Sequence, residues 1–131
     1  MRTSRLQGMQ ALHDIEQRSF QLTLSIIELV RQIEPELPQA LADRIIITAT
    51  NFGAGVSEAL VHSTPRNQIN KLAGARRATR EMAFLLRLLN GIQMAAEPAL
   101  RPMLEEAAAL QDELTRLILR VRQEAERASS K

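Results

Sequence analysis

Apolar residues recur every three or four positions along four long segments of this chain, at about residues 8–33, 38–61, 65–89 and 98–127. In the first segment the recurring positions are Leu12, Ile15, Ser19, Leu22, Ile26, Leu29 and Ile33. In the third they are Leu72, Ala75, Thr79, Met82, Leu86 and Leu89. This spacing places side chains on one face of an α-helix. The pattern therefore predicts four amphipathic helices, each with one face directed at a shared core.

Proline, threonine and glycine positions mark the ends of these helices. Pro35 ends the first helix, because the residue before a proline avoids the helical conformation. Thr64 is a suitable N-cap for the third helix, with Pro65 at its first position, and the Asn-Gly pair at 90–91 is a signal for its end. Helices of ~24 residues, joined by short loops, predict one all-α domain over residues 1–131, an up-down-up-down four-helix bundle.

Two glycines, Gly53 and Gly55, lie inside the second predicted helix. A glycine within a helix is less favourable than an alanine by about 1 kcal/mol. A phosphate-binding loop is not expected, because no strand precedes these glycines and no Lys-Ser/Thr pair follows them. The two glycines therefore predict close helix packing.

The first and third helices carry apolar residues outside the core stripe. These residues are Phe20, Leu24 and Ile27 on the first helix and Phe84, Leu88 and Ile92 on the third. A helix of a monomeric bundle needs one apolar face, and further apolar surface indicates an interface. We predict a homo-oligomer with these six residues in its contacts. A wide core face with some exposed leucine is the alternative.

Composition excludes several classes of protein and site. The 131 residues include no Cys, so neither a disulfide framework nor a thiolate metal site is expected. Three Phe are the whole aromatic content, which argues against a base-stacking platform for single strands. No run approaches the ~20 apolar residues that cross a bilayer, and the N-terminus lacks the apolar core of a secretory signal. A soluble cytoplasmic protein is expected.

Charge is distributed unevenly along the chain. Residues 1–65 contain five Arg and seven acidic residues, a net charge of −2, whereas residues 66–131 contain twelve basic and eight acidic residues, a net charge of +4. Basic residues concentrate in 66–87 and in the last sixteen positions, while 97–113 is acidic. This asymmetry favours a partner that carries phosphates. A solvated helical surface is the alternative.

The arginines follow helical spacing. Arg76, Arg80 and Arg87 fall within about 40° of one another at ~100° per residue, and a second stripe occurs on the fourth helix. Arginine binds phosphate oxygens in bidentate fashion, so we expect weakly sequence-specific, salt-dependent binding to a nucleic-acid backbone. The predicted binding residues are Arg66, Lys71, Arg76, Arg77, Arg80, Arg87, Arg116, Arg120, Arg122 and Arg127. Local pairing, such as Arg77 with Glu81 or Arg120 with Glu124, is the alternative.

No catalytic, metal or cofactor site is predicted. A di-iron bundle needs Glu-x-x-His pairs, but His62 follows Glu58 by four residues and His13 has no carboxylate at the required offset. The strongest enzyme alternative is ARRATRE at 75–81, because similar arginine spacing binds triphosphate in some helical-bundle transferases. The phosphate loop with Thr, Gly and Asp that those enzymes also carry is absent here, so we expect a protein that is not an enzyme.

The run NQINKLAGARRATREMAFLLRLLNGIQ, residues 67–93, resembles the accessory variability determinant proteins of diversity-generating retroelements. The matching pieces are Asn67-Gln68, Lys71-Leu72, Leu86-Arg87 with Leu89, Gly91-Ile92-Gln93, and ILRVR at 118–122. A broader resemblance, through TATNFGAGVSEA at 48–59, is to the four-helix-bundle intervening-sequence proteins of bacterial ribosomal RNA genes.

The first resemblance implies a four-helix bundle that assembles as a barrel-shaped homopentamer. Its members bind the retroelement's reverse transcriptase and nucleic acid and support mutagenic retrohoming, while the polymerase performs the chemistry. By position, Lys71, Arg87, Arg120 and Arg122 are the basic residues shared with the family. The alternative function is a structural or regulatory bundle of the intervening-sequence type, without a reverse transcriptase partner.

Overall fold

Four long α-helices make up the computed structural model of this chain, which describes residues 2–61 and 64–130, with side chains from residue 8 onward. The helices are α1 (Arg2–Ile33), α2 (Gln39–Val61), α3 (Pro65–Gly91) and α4 (Glu97–Ser129), and a 3-10 turn lies at Glu34–Glu36. Each helix packs against the next one along the chain, and α4 also packs against α1. No strand occurs in the described ranges, and the all-α four-helix prediction is confirmed.

Ion pairs between neighbouring helices show that the neighbours run antiparallel. Glu58, near the end of α2, pairs with Lys71 near the start of α3, with 2.6 Å between Oε2 and Nζ. Arg44, near the start of α2, pairs with Glu81 further along α3. The contacts between α1 and α4 also join the start of one helix to the later part of the other. The helices therefore alternate in direction around the bundle.

The helix ends agree with the prediction at the Thr64 cap and differ elsewhere. Thr64 Oγ1 accepts a hydrogen bond from the backbone N–H of Asn67 at 3.3 Å. The first helix continues back to residue 2, because a glycine at position 8 weakens a helix by only about 1 kcal/mol. After α3 the residue with a left-handed backbone is Gln93, with φ of 63°, and not the glycine at 91.

The predicted core stripes form the bundle interior, with one shift near the end of α1. All six positions predicted for α3 are buried: Leu72, Ala75, Thr79, Met82, Leu86 and Leu89. In α1 the last buried position is Val30, whereas Leu29 and Ile33 are half-buried. A straight helix has 3.6 residues per turn, so a seven-residue repeat drifts by ~20° per heptad. After several turns the core face has moved by one residue.

Gly53 and Gly55 allow the close packing that the sequence predicts. A Cβ atom at Gly53 would lie 2.9 Å from Oγ1 of Thr23 on α1, and one at Gly55 would lie 3.3 Å from Cβ of Ala75 on α3. The Thr23 hydroxyl is held in place, since it lies 2.8 Å from the Ser19 carbonyl oxygen and 3.1 Å from that of Ala49. The middle of α2 is therefore in close contact with both neighbouring helices.

Candidate nucleic-acid and partner interface

Four of the predicted binding arginines lie on the side of the bundle formed by α3 and α4. Arg76 fixes the location, because its Nη1 donates to Thr115 Oγ1 of α4 at 3.3 Å. Arg80 and Arg87 follow Arg76 by one and three helical turns, and Arg122 follows Thr115 by seven residues on α4. We call this surface the basic face, and its arginines are Arg76, Arg80, Arg87 and Arg122. The predicted Arg66 lies eighteen residues before Phe84, at the same angle around α3 and therefore on the outer side of that helix.

The guanidinium groups of the basic face are available to an outside anion. Arg80, Arg87 and Arg122 are exposed, and none of them forms an ion pair with a described side chain. Glu81, the one acidic residue between positions 66 and 87, points to α2 instead. The basic face therefore carries several positive charges that no described carboxylate neutralises.

The contacts of Glu81 test the alternative in which Arg77 forms a local ion pair with it. Its carboxylate binds Arg44, and it accepts a hydrogen bond from Thr48 Oγ1 at 3.0 Å. The Arg44 hydrogen bond, with a smaller contribution from Thr48, lowers the pKa of Glu81. Arg77 therefore does not pair with Glu81. It lies seven residues before Phe84 on the outer side of α3, beyond the basic face.

The second predicted stripe, Arg116, Arg120 and Arg127, lies on another side of α4, away from Thr115. These arginines line a groove of about 280 Å³ whose described lining residues all belong to α4. Arg120 Nη1 lies 3.5 Å from where a Cβ of Gly8 would be, and it is buried with no hydrogen-bond partner among the described residues. Helix α4 therefore separates the two arginine stripes, a division that spacing along each helix does not reveal.

Arg18 links α1 to α4 farther along the same side of the bundle. Its guanidinium binds the carboxylates of both Glu106 and Glu113 on α4, with 2.6 Å between Arg18 Nη2 and Glu106 Oε1. The hydrogen bond to Glu106 is the largest cause of a raised Arg18 pKa. Lys71, the last of the ten predicted binding residues, is paired with Glu58 on the α2–α3 side. An outside phosphate would have to compete with that carboxylate.

Four of the six predicted interface residues are exposed. The exposed fractions are 58% for Phe20, 41% for Leu24, 59% for Phe84 and 44% for Ile92. Ile27 and Leu88 are half-buried. Exposure of large apolar side chains is what an unfilled interface requires, although assembly itself stays a prediction.

Four further exposed apolar residues were missed, of which three lie on α1 and α2. Met9 is 55% exposed, Ile47 52% and Val61 80%, and Leu119 on α4 is 50% exposed. Ile47 and Val61 lie seven residues before and after Ala54, which lines the same groove as Phe20. This seven-residue spacing on the second helix is the signal that could have revealed them. We call the surface formed by Met9, Phe20, Leu24, Ile27, Ile47 and Val61 the apolar face.

The described residues provide no obvious metal site. No three or more His, Cys, Asp and Glu side chains among them are grouped so as to hold a metal ion. His62 lies outside the described residues. Within the same part of the chain, no helix combines the length and apolar character needed to cross a bilayer.

Comparisons with known proteins support the fold. No protein-family model matches the chain, and no curated protein matches it. The chain is similar to the crystal structure, at 1.70 Å resolution, of a protein with unknown function from the S23 ribosomal protein family of Bacteroides thetaiotaomicron. The TM-score is 0.77 and the identity is 19%, over 82% of this chain and 97% of the other. At this identity the likeness shows a shared four-helix fold.

Proposed function

We propose that this chain is a non-catalytic accessory protein that binds nucleic acid through its phosphate backbone. The observation that carries the proposal is the basic face, where three exposed arginines form no ion pair with a described side chain. Each guanidinium can bind a phosphate in bidentate fashion. Such contacts set affinity and position without reading the base sequence.

The spacing of these arginines suits a polyanion rather than a single small anion. At 1.5 Å of rise per residue, Arg80 lies about 6 Å along α3 from Arg76, and Arg87 lies about 10 Å beyond Arg80. One phosphate cannot contact all three guanidinium groups, whereas a chain of phosphates can. Binding should therefore weaken steeply as the salt concentration rises.

The specific setting that we propose is a diversity-generating retroelement in a bacterium or phage. The support is the resemblance of residues 67–93 to its accessory proteins, a segment that forms most of α3 and includes Arg76, Arg80 and Arg87. In this role the protein acts in the cytoplasm as a homo-oligomeric ring, a pentamer by resemblance, and binds the reverse transcriptase and its nucleic acid to support mutagenic retrohoming.

A ring is also compatible with where the apolar residues lie. The apolar face belongs to α1 and α2, whereas Phe84, Leu88 and Ile92 belong to α3. A closed ring of more than two subunits needs two different surfaces on each subunit, because its contacts are head-to-tail. A ring would repeat the basic face, and a long polyanion that contacts several copies gains avidity.

The name of the similar solved structure favours a second candidate. A protein of the S23 ribosomal family suggests a structural or regulatory bundle of the ribosomal RNA intervening-sequence type, with no reverse transcriptase partner. Genomic context separates the two candidates. A neighbouring reverse transcriptase gene with paired template and variable repeats supports the first, and location within a ribosomal RNA gene supports the second.

The basic face can be tested with a charge-matched pair of variants. One variant replaces Arg76, Arg80 and Arg87 with Ala. The control replaces Arg31, Arg44 and Arg101 with Ala, which removes the same charge from exposed positions elsewhere. Both are titrated with a single-stranded RNA and a DNA duplex at several salt concentrations, after circular dichroism has shown that both remain helical.

The first variant should lower affinity and flatten the dependence of log K on log salt. Each lost phosphate contact removes about 0.7 from the slope for a single strand and about 0.9 for a duplex, so three lost contacts remove about 2 to 3. The control should change the slope by much less. Equal losses in both variants would mean that net charge, and not the basic face, governs binding. Co-purification with the reverse transcriptase encoded nearby tests the proposed setting separately.

A further inference from the structure

The apolar face is matched by a convex apolar surface elsewhere on the same chain. Phe84, Leu88 and Ile92 follow one another at four-residue steps along the outer side of α3. We call these three residues the α3 ridge. Phe84 and Ile92 are exposed, and Leu88 is half-buried. The apolar face and the ridge belong to different helical hairpins, so one subunit cannot cover both with its own residues.

The apolar face contains a groove that can accept an aromatic ring. The groove has a volume of about 230 Å³, and a cavity of ~150 Å³ already takes up benzene. Its lining residues, apart from one carboxylate, are Phe20, Thr23, Thr50, Gly53, Ala54 and Ser57. Apart from Phe20 these side chains are small, and Gly53 has none, so the groove has an open floor with one aromatic wall.

Charge favours contact between the groove and the ridge over contact of either one with itself. Residues 1–65, which include α1 and α2, have a net charge of −2, and residues 66–131 have a net charge of +4. Glu16 lines the groove and Arg77 lies beside the ridge, and neither forms an ion pair within the described part of the chain. Joining like surfaces brings like charges together, which opposes association.

We propose that the α3 ridge of one copy occupies the α1–α2 groove of the next, with Phe84 packed against Phe20 and Arg77 near Glu16. The inference rests on the homo-oligomer of the proposed function and deepens it by assigning the two contact surfaces. Such a contact is head-to-tail, so its repetition closes a ring when the rotation permits. It also assigns Arg77 to the subunit contact and leaves the basic face free for nucleic acid.

The absence of Cys from the chain permits a direct cross-linking test. Ser57→Cys places a thiol in the groove and Leu88→Cys places one on the ridge. Each variant alone, treated with a short bis-thiol cross-linker in the absence of nucleic acid, should remain uncross-linked, whereas an equimolar mixture after subunit exchange should form covalent dimers. The double variant should form a ladder that ends at the number of subunits in the ring. Ala108→Cys, at an exposed position of α4, is the control partner and should not link to Ser57→Cys.

Substitutions in the contact provide a second readout. Phe84→Glu should shift sedimentation to the monomer while leaving the helical content unchanged, because Phe84 is 59% exposed and contributes little to the core. Arg77→Glu should weaken the oligomer, and adding Glu16→Arg should restore it.

Three results would overturn the assignment of surfaces. The first is cross-linking of Ser57→Cys to itself. The second is an oligomer in which mixed Ser57→Cys and Leu88→Cys subunits do not cross-link, and the third is a wild-type protein that is monomeric at micromolar concentration. Failure of the proposed function looks different: the ring forms and cross-links as expected, but neither nucleic acid nor the reverse transcriptase binds. Conversely, nucleic-acid binding by an oligomer that uses other surfaces refutes the inference alone.

Discussion

Replacing Gly53 with Ala should destabilise the bundle, although the same change in most helices is stabilising. An alanine inside a helix is normally better than a glycine by about 1 kcal/mol. At Gly53, however, the added Cβ would lie 2.9 Å from Thr23 Oγ1. That hydroxyl lies at hydrogen-bond distance from the carbonyl oxygens of Ser19 and Ala49, and a β-branched side chain has few alternative rotamers.

The expected size follows from these opposing effects. Overpacking of a close contact costs about 1–3 kcal/mol, and loss of the Thr23 hydrogen bond costs about 1 kcal/mol more. After the gain in helix propensity, Gly53→Ala should lower the free energy of unfolding by about 2 kcal/mol. For a chain of this size that corresponds to a drop in Tm of very roughly 8 °C.

Gly74 provides a matched control on α3. A Cβ at Gly74 would have one neighbour within reach, Arg77 Nη2 at 4.0 Å, at the end of a flexible side chain. Gly74→Ala should therefore raise the free energy of unfolding by about 1 kcal/mol. Urea denaturation followed by circular dichroism measures both variants, and an unchanged m value shows that the comparison concerns stability alone.

A double-mutant cycle attributes the effect to the Thr23 side chain. Thr23→Ala removes Oγ1 and Cγ2 and leaves Thr23 Cβ at 3.7 Å, an ordinary contact distance. In that background Gly53→Ala should be neutral or stabilising, with a coupling free energy of at least about 1 kcal/mol between the two positions. The reasoning is refuted if Gly53→Ala and Gly74→Ala change stability in the same direction, or if the cycle shows no coupling.

Two further predictions concern the ion pairs between helices. Because its folded pKa is lowered, Glu81 contributes stability that is present above its ordinary pKa near 4.5 and is lost as the pH falls through the folded value. Urea denaturation should show Glu81→Gln less stable than wild type at pH 7, with the difference shrinking in acid. A constant difference would contradict this. Arg18→Met leaves Glu106 and Glu113 without their shared cation at side-chain exposures near one third, so it should lower stability by about 1–2 kcal/mol, between the values for exposed and buried pairs. Adding Glu106→Gln and Glu113→Gln should recover most of that loss.

The fold could be predicted from the sequence because its determinants are local and periodic. The Thr64 cap and the six core positions of α3 follow from spacing and residue type alone. The shift from Leu29 to Val30 follows from the same geometry, once the 3.6-residue period replaces a seven-residue repeat. Gln93, by contrast, adopts the left-handed conformation although a glycine stands two residues earlier. The local residue preference does not decide that turn.

The candidate site was less predictable, because a helical wheel gives an angle around one axis and not the identity of the neighbouring helix. Arg80 and Arg120 both belong to regular stripes, yet one lies on the basic face and the other lies against Gly8 of α1. Glu81 has Arg77 at the local pairing distance but binds Arg44 and Thr48, more than thirty positions away. Contacts between residues far apart in the sequence thus decide which charged side chains pair, and helical spacing alone does not reveal those contacts.

In the proposed arrangement, the salt dependence of nucleic-acid binding measures how many subunits contact one nucleic-acid molecule. One basic face has four arginines, so one subunit can account for a slope of about −3 on a single strand or about −3.5 on a duplex. A steeper slope requires that arginines from several subunits contact one polyanion. Such contact is possible in the ring, because neighbouring subunits cover the ridge and the groove while the basic face stays open. Phe84→Ser, which adds no charge beside Arg80 and Arg87, should then return the slope to the single-subunit limit without removing any arginine. A slope that stays steep in a monomeric variant would show that the basic face is larger than the four arginines assigned to it.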